Sequence, residues 1–154
     1  MLFRSAETAR RAVASAKARK CFVSLDLSSV ALIEHLGATN VQALLRQAAP
    51  DVLVCTRAEA ESARVHADDL CGAGLVVVKD AERPIRVFSG RGKETEFPVQ
   101  AVERVVDATG AGDAFAAGFL SEFAERRPVE ACVAAGRNLA ARVVKLAGAT
   151  LEGE

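Results

Sequence analysis

The chain has 154 residues, 51% of them hydrophobic and only 5% aromatic, with no Trp or Tyr. That is enough for one folded domain and too apolar for disorder. Lys and Arg total 20 and so do Asp and Glu. The resulting zero net charge excludes an electrostatic footprint for nucleic acid, and no apolar run is long enough to span a bilayer.

Residues from about Ser5 to Lys20 read as a helix, with Ala6, Ala9, Val13 and Ala16 on one stripe. Cys21–Leu25 reads as a buried strand, and Asp26, Ser28 and Ser29 follow as capping or turn residues. A short helix is expected over Val30–His35 with Gly37 as its stop, then another over Val41–Ala48 ended by Pro50. Asp51–Cys55 is a second strand, and a helical pattern runs from Ala58 to Cys71. Leu75–Val78 is a third buried strand. Ile85–Phe88 alternates, a turn spans Ser89–Lys93, and Glu94–Phe97 pairs back as a hairpin. Pro98–Val106 is extended. Phe115, Phe119 and Phe123 recur every four residues on one helical face, and Val129–Leu146 forms a last helix closed by Gly148. Helices alternating with continuously apolar strands are the pattern of a parallel sheet covered on both faces, here one α/β domain over residues 1–154.

Four cysteines make no C-x-x-C pair, and His35 and His66 lie near none of them in sequence, so the spacing argues against a zinc site. Cys21 and Cys55 are expected to be buried free thiols in a reducing cytoplasm. The first residues have too little apolar length for a signal peptide.

The densest chemical signal is Asp107-Ala-Thr-Gly-Ala-Gly-Asp-Ala-Phe115. It puts a small-residue turn before an apolar helix and a carboxylate in the first helical turn. Amides at a helix start have no intrahelical partner and bind anions, aided by the macrodipole. Gly110, Ala111 and Gly112 keep side chains clear of an approaching phosphate. Asp113 could then take the proton of a hydroxyl that attacks that phosphate. A capped turn, with Asp113 merely favouring the dipole, is the plainer alternative.

This run resembles the carboxy-terminal signature of the PfkB, or ribokinase-like, family of carbohydrate and nucleoside kinases, roughly D-T-x-G-A-G-D-x-F. The resemblance extends more loosely from about Cys21 to Ala149 and covers the second half of a typical member. It implies a three-layer α/β/α ribokinase-like (Rossmann-like) sheet that is incomplete and lacks the lid. It implies ATP-dependent phosphoryl transfer to a hydroxyl of a sugar or nucleoside with Mg²⁺, in the cytoplasm, by part of a longer enzyme. A monovalent cation (K⁺) is also implied.

Carried over by resemblance, Asp113 is the catalytic base, and Gly110, Ala111 and Gly112 donate the anion hole through their amides. Asp107 lies near the monovalent-cation loop or caps its own turn. Thr109 presents its hydroxyl to a phosphate or bonds its own turn. Thr56-Arg57-Ala58-Glu59 stands where the family has N-x-x-E, with Glu59 organising magnesium through water and Thr56 in place of the amide. The alternative for Glu59 is a solvated helix glutamate. Lys79 is either a phosphate contact or a surface lysine. It opens Lys79–Pro84, where the family carries a loop with two glycines. Ala81 and Pro84 take those places, and Pro84 has no N–H to donate. Asn138 falls near the adenine-side contact, where an amide offers donor and acceptor together.

A missing first half would leave one edge strand uncovered, so the expected partners are that half or a second copy of the chain, beside the small-molecule substrate. A catalytically inert kinase relic that binds nucleotide or serves as an interaction module is the competing reading. A dinucleotide-binding oxidoreductase is a weaker third, because Phe115 stands where G-x-G-x-x-G needs its last glycine.

Overall fold

In a computed structural model, residues 2–81, 83–90, 92–99, 102 and 104–146 are described, with side chains from residue 7 onward. The chain divides into two compact units, Met1–Glu96 and Phe97–Glu154.

The first unit runs α1 (Leu2–Ala18), β1 (Ser24–Asp26), α2 (Val30–Leu36), α3 (Ala38–Ala48), β2 (Val52–Thr56), α4 (Arg57–Ala63), β3 (Leu75–Lys79), β4 (Ile85–Ser89) and β5 (Lys93–Phe97). The strands form one sheet in sequence order, β1-β2-β3-β4-β5. β1, β2 and β3 are parallel, whereas β4 returns antiparallel to β3, so the sheet is mixed. In register, Asp26 faces Val54 and Thr56 faces Lys79, which brings the carboxyl ends of the three parallel strands together at one edge.

Hydrophobic patterning explains this order. The first four residues of β2 and of β3 are buried and all apolar apart from the Cys55 thiol, as strands covered on both faces require. Alternate positions Leu53, Cys55, Val76, Val78 and Phe88 join Ile33, Val41, Leu45, Ala60 and Ala63 of α2, α3 and α4 in one core cluster. β5, Lys-Glu-Thr-Glu-Phe, has no such run and is largely exposed. β1 has a neighbour on one side only among the described residues. A cavity of about 350 Å³ lies beside it, lined by Val13, Leu25, Ile33, Val41 and Leu45.

Two expectations are corrected here. Cys21 is exposed and precedes the strand, because the Val23 amide bonds the Asp51 carboxylate at 2.8 Å and the ladder begins only at Ser24. The helix expected over Ala58–Cys71 stops at Ala63. Arg64 adopts φ +54°, and Gln42 Nε2 donates to the carbonyls of Ala63 and Arg64 at 3.1 and 3.0 Å, satisfying the helix end. Gly148 lies outside the described residues.

The second unit contains α5 (Ala111–Ala124) and α6 (Val129–Val143). Phe115, Phe119 and Phe123 stack along α5 with centroids 6.1 and 5.9 Å apart, and the first two are buried. The two helices approach through glycines. A Cβ added to Gly118 would meet the Ala135 carbonyl oxygen at 2.7 Å, and one on Gly136 would meet that of Phe115 at 2.8 Å.

Candidate functional site

The predicted site residues fall into two groups, one in each unit. In the second unit the signature forms a tight turn into α5. Asp107 Oδ1 accepts from the Thr109 amide at 2.8 Å, an Asx turn, so Asp107 does cap its turn. It is the Thr109 amide that closes this turn, and the residue is exposed. The amides of Val106 and Asp107 donate to the Val144 carbonyl at 2.7 and 3.2 Å, which ties the entry of the turn to the end of α6.

Gly110 caps α5 with φ +78°, a left-handed conformation that costs glycine nothing and that an L side chain resists. The first intrahelical bond runs from the Ala114 amide to the Gly110 carbonyl at 2.9 Å. Of the three amides expected to donate, that of Ala111 is engaged by the Ala108 carbonyl at 3.2 Å. The amides at the second and third helical positions, Gly112 and Asp113, precede the first possible intrahelical acceptor. Both residues are exposed, and the Asp113 carboxylate sits in the first turn, where the macrodipole favours negative charge. Asn138 is exposed on α6, two residues beyond the Gly136 contact with α5.

The pattern of the pfkB family carbohydrate kinases matches residues 5–153. The chain belongs to that family. Among curated pfkB-type relatives, the cytidine kinase of Thermococcus kodakarensis is 43% identical over 76 residues, which are 48% of this chain and 27% of that protein. Adenosine kinase 2 of Arabidopsis thaliana is 36% identical over 76 residues, 48% of this chain and 22% of that protein. Among solved structures, the adenosine kinase of Anopheles gambiae superposes with a TM-score of 0.80 at 27% identity, over 97% of this chain and 50% of that one. The Schistosoma mansoni enzyme gives 0.80 at 20% identity over 96% and 49%. The fold is therefore ribokinase-like, and the chain spans about half the length of these solved relatives.

In the first unit, the start of α4 after β2 is a capping box. Glu59 Oε2 accepts from the Thr56 amide at 2.7 Å, and Thr56 Oγ1 accepts from the Glu59 amide at 3.3 Å. Thr56 thus serves as a helix cap. Glu59 is 7% exposed, a buried carboxylate and not a solvated helix residue. Lys79 is no surface lysine. Its side chain is 16% exposed, and Nζ pairs with Asp26 Oδ2 at 3.3 Å, from the end of β3 to the end of β1. These charges surround the Cys55 thiol at the end of β2. Burial pushes that thiol up to about 12, helped by the negative charges of Glu59 and Asp26 and opposed by Lys79 and Arg86.

In the loop after β3, Ala81 takes φ +45°, a left-handed conformation that suits glycine better than alanine. Sequence reasoning passed over Arg57, Asp80 and Arg83, which join there: Arg57 Nε lies 2.5 Å and Arg83 Nη1 3.6 Å from Asp80 Oδ2. The available signal was that each parallel strand ends in a run of charge, Asp26, Arg57 and Lys79-Asp80.

Proposed function

We propose that this chain carries the nucleotide-binding and catalytic portion of a pfkB-type kinase that moves the γ-phosphate of ATP to a hydroxyl of a nucleoside or sugar. The named kinases among its relatives act on cytidine and adenosine, which favours a nucleoside acceptor. The observation that carries the reading is the turn before α5, with glycine at φ +78°, the Gly112 and Asp113 amides ahead of the first intrahelical acceptor, and an exposed carboxylate at Asp113.

Asp113 accepts the proton of the acceptor hydroxyl. The freed oxygen attacks the γ-phosphorus, and the bond to the β-phosphate bridging oxygen breaks as ADP leaves. The Gly112 and Asp113 amides, with Gly110 keeping the approach open, hold the charge that grows on the phosphoryl oxygens; one such donor is worth about 3–4 kcal/mol in a comparable setting. Thr109 and Lys79 are further phosphate contacts, and Asn138 meets the adenine edge.

Mg²⁺ supplies charge neutralisation on the donor phosphates. No group of three acidic, His or Cys side chains able to hold a metal occurs among the described residues. Glu59, fixed by the Thr56 amide, would accept from the hydration shell of a cation brought in by the nucleotide. Asp107 is the residue for a K⁺ site. The chain acts in the cytoplasm. The half of the solved relatives that it does not match, or a second copy, supplies the remaining substrate contacts.

Assay of phosphate transfer from ATP to a panel of nucleosides and sugars, with and without that other half, tests the reading. Asp113→Asn lowers transfer about 10²–10⁴-fold while nucleotide still binds. Near-normal turnover removes Asp113 from the role of base. The second reading, an inert nucleotide-binding relic, is favoured by one observation, Ala81 and Pro84 in place of the glycines. Nucleotide binding without transfer to any acceptor decides for it.

A further inference from the structure

The loop that departs most from the family pattern is also where two arginines converge on one carboxylate. Arg57 opens α4 at the end of β2, and Arg83 lies between β3 and β4. Both guanidinium groups approach Asp80 Oδ2, at 2.5 and 3.6 Å. Two cations on one anion leave the trio one positive charge over, and the Arg83 side chain, 67% exposed, carries charge where an incoming anion can reach it. The contact is also unspent as hydrogen bonding. Arg57 Nε and Asp80 Oδ2 are buried and have no hydrogen-bond partner.

Two positions of the loop backbone offer no free amide. The Arg83 amide is engaged by the Asp80 carbonyl at 2.8 Å, and Pro84 has none. Yet the loop stands at the carboxyl ends of parallel strands, where ligands of open α/β sheets bind. A planar guanidinium with five N–H donors is the side chain best suited to phosphate oxygens.

We propose that Arg57 and Arg83 form a polyphosphate clamp, gripping the triphosphate tail of the phosphoryl donor with side chains where the glycine-type loop would use amides. This rests on the kinase reading for the identity of the donor. Asp80 gathers the two guanidinium groups before the ligand arrives, and phosphate oxygens then accept from them.

The test is calorimetric titration of the chain with inorganic tripolyphosphate, ATP and adenosine, at about 50 and about 200 mM salt. Arg57→Ala with Arg83→Ala weakens tripolyphosphate and ATP about 10- to 100-fold, the loss of one or two charge-assisted bonds. Its salt dependence becomes shallower and its adenosine affinity is unchanged. Arg83→Ala alone, at a side chain that is 67% exposed, keeps the fold and loses about 3- to 10-fold. Wild-type tripolyphosphate affinity in Arg83→Ala overturns the clamp, as does an equal loss for adenosine or a wild-type chain that binds no tripolyphosphate. Tripolyphosphate binding that depends on both arginines, without transfer to any acceptor, overturns the kinase reading and leaves the clamp standing.

Discussion

Replacing Gly118 by alanine tests whether the α5–α6 contact is as close as it looks. In an exposed helix interior, glycine to alanine stabilises by about 1 kcal/mol through propensity alone. Here the new methyl would meet the Ala135 carbonyl oxygen at 2.7 Å, its carbon at 2.9 Å and the Gly136 Cα at 3.0 Å. All three are backbone atoms, so no side chain can swing aside and the helices must part. Overpacking of this kind costs about 1–3 kcal/mol, and with backbone on the far side the upper part of that range applies. Subtracting the propensity gain leaves a net loss of about 1–2 kcal/mol. For a chain of this size that is a fall in Tm of about 3–6 °C, read by circular dichroism melting. A rise in Tm on Gly118→Ala would refute the packing argument, because propensity would then be the only effect acting.

Cys55 sets a pH limit. Its thiol ionises near 9 when unfolded and near 12 when folded. Its stabilising contribution is therefore complete below pH about 9 and is lost as pH rises through about 12, so urea midpoints should fall across that window and Cys55→Ser should flatten the fall. Ellman's reagent should label Cys21 well before Cys55, Cys71 and Cys132, and fast modification of Cys55 in the folded chain would contradict its burial. Ala81→Gly relieves a left-handed residue of about 1–2 kcal/mol while adding unfolded-state freedom of about 0.4–1 kcal/mol, so stability is expected to hold or rise by up to about 1.6 kcal/mol. A marked drop in the urea midpoint would show that the alanine methyl is needed where it stands.

What the sequence could reveal divides by range. The turn before α5 was legible because its local determinants lie within seven residues, from Asp107 to Asp113: the Asx residue, the positive-φ glycine and the first-turn carboxylate; its tie to Val144 was not. β2 and β3 were legible as unbroken apolar runs. The end of α4 was not, because its carbonyls are satisfied by Gln42, 21 and 22 residues earlier. The start of β1 was hidden for the same reason, since the Asp51 carboxylate takes the Val23 amide. The state of Lys79 depends on Asp26, 53 residues away and two strands over, and no periodicity reports that pairing. Glu59 fell between these cases. Its capping box spans four residues and was readable as a pattern, but its burial depends on the core beneath α4.

Gly118 lies against the backbone of Ala135 and Gly136, and Gly136 against the carbonyl and ring of Phe115, so at that point the helices meet with no slack to act as a lubricant. Neither helix can slide or roll there without driving main chain into main chain, and the Val144 carbonyl pins the start of the signature to the same body. Asp113 and Asn138 therefore ride on a single stiff lever. A substitution on the α6 side that tilts it would be felt at the carboxylate as a change of aim, with every atom of the signature still in place.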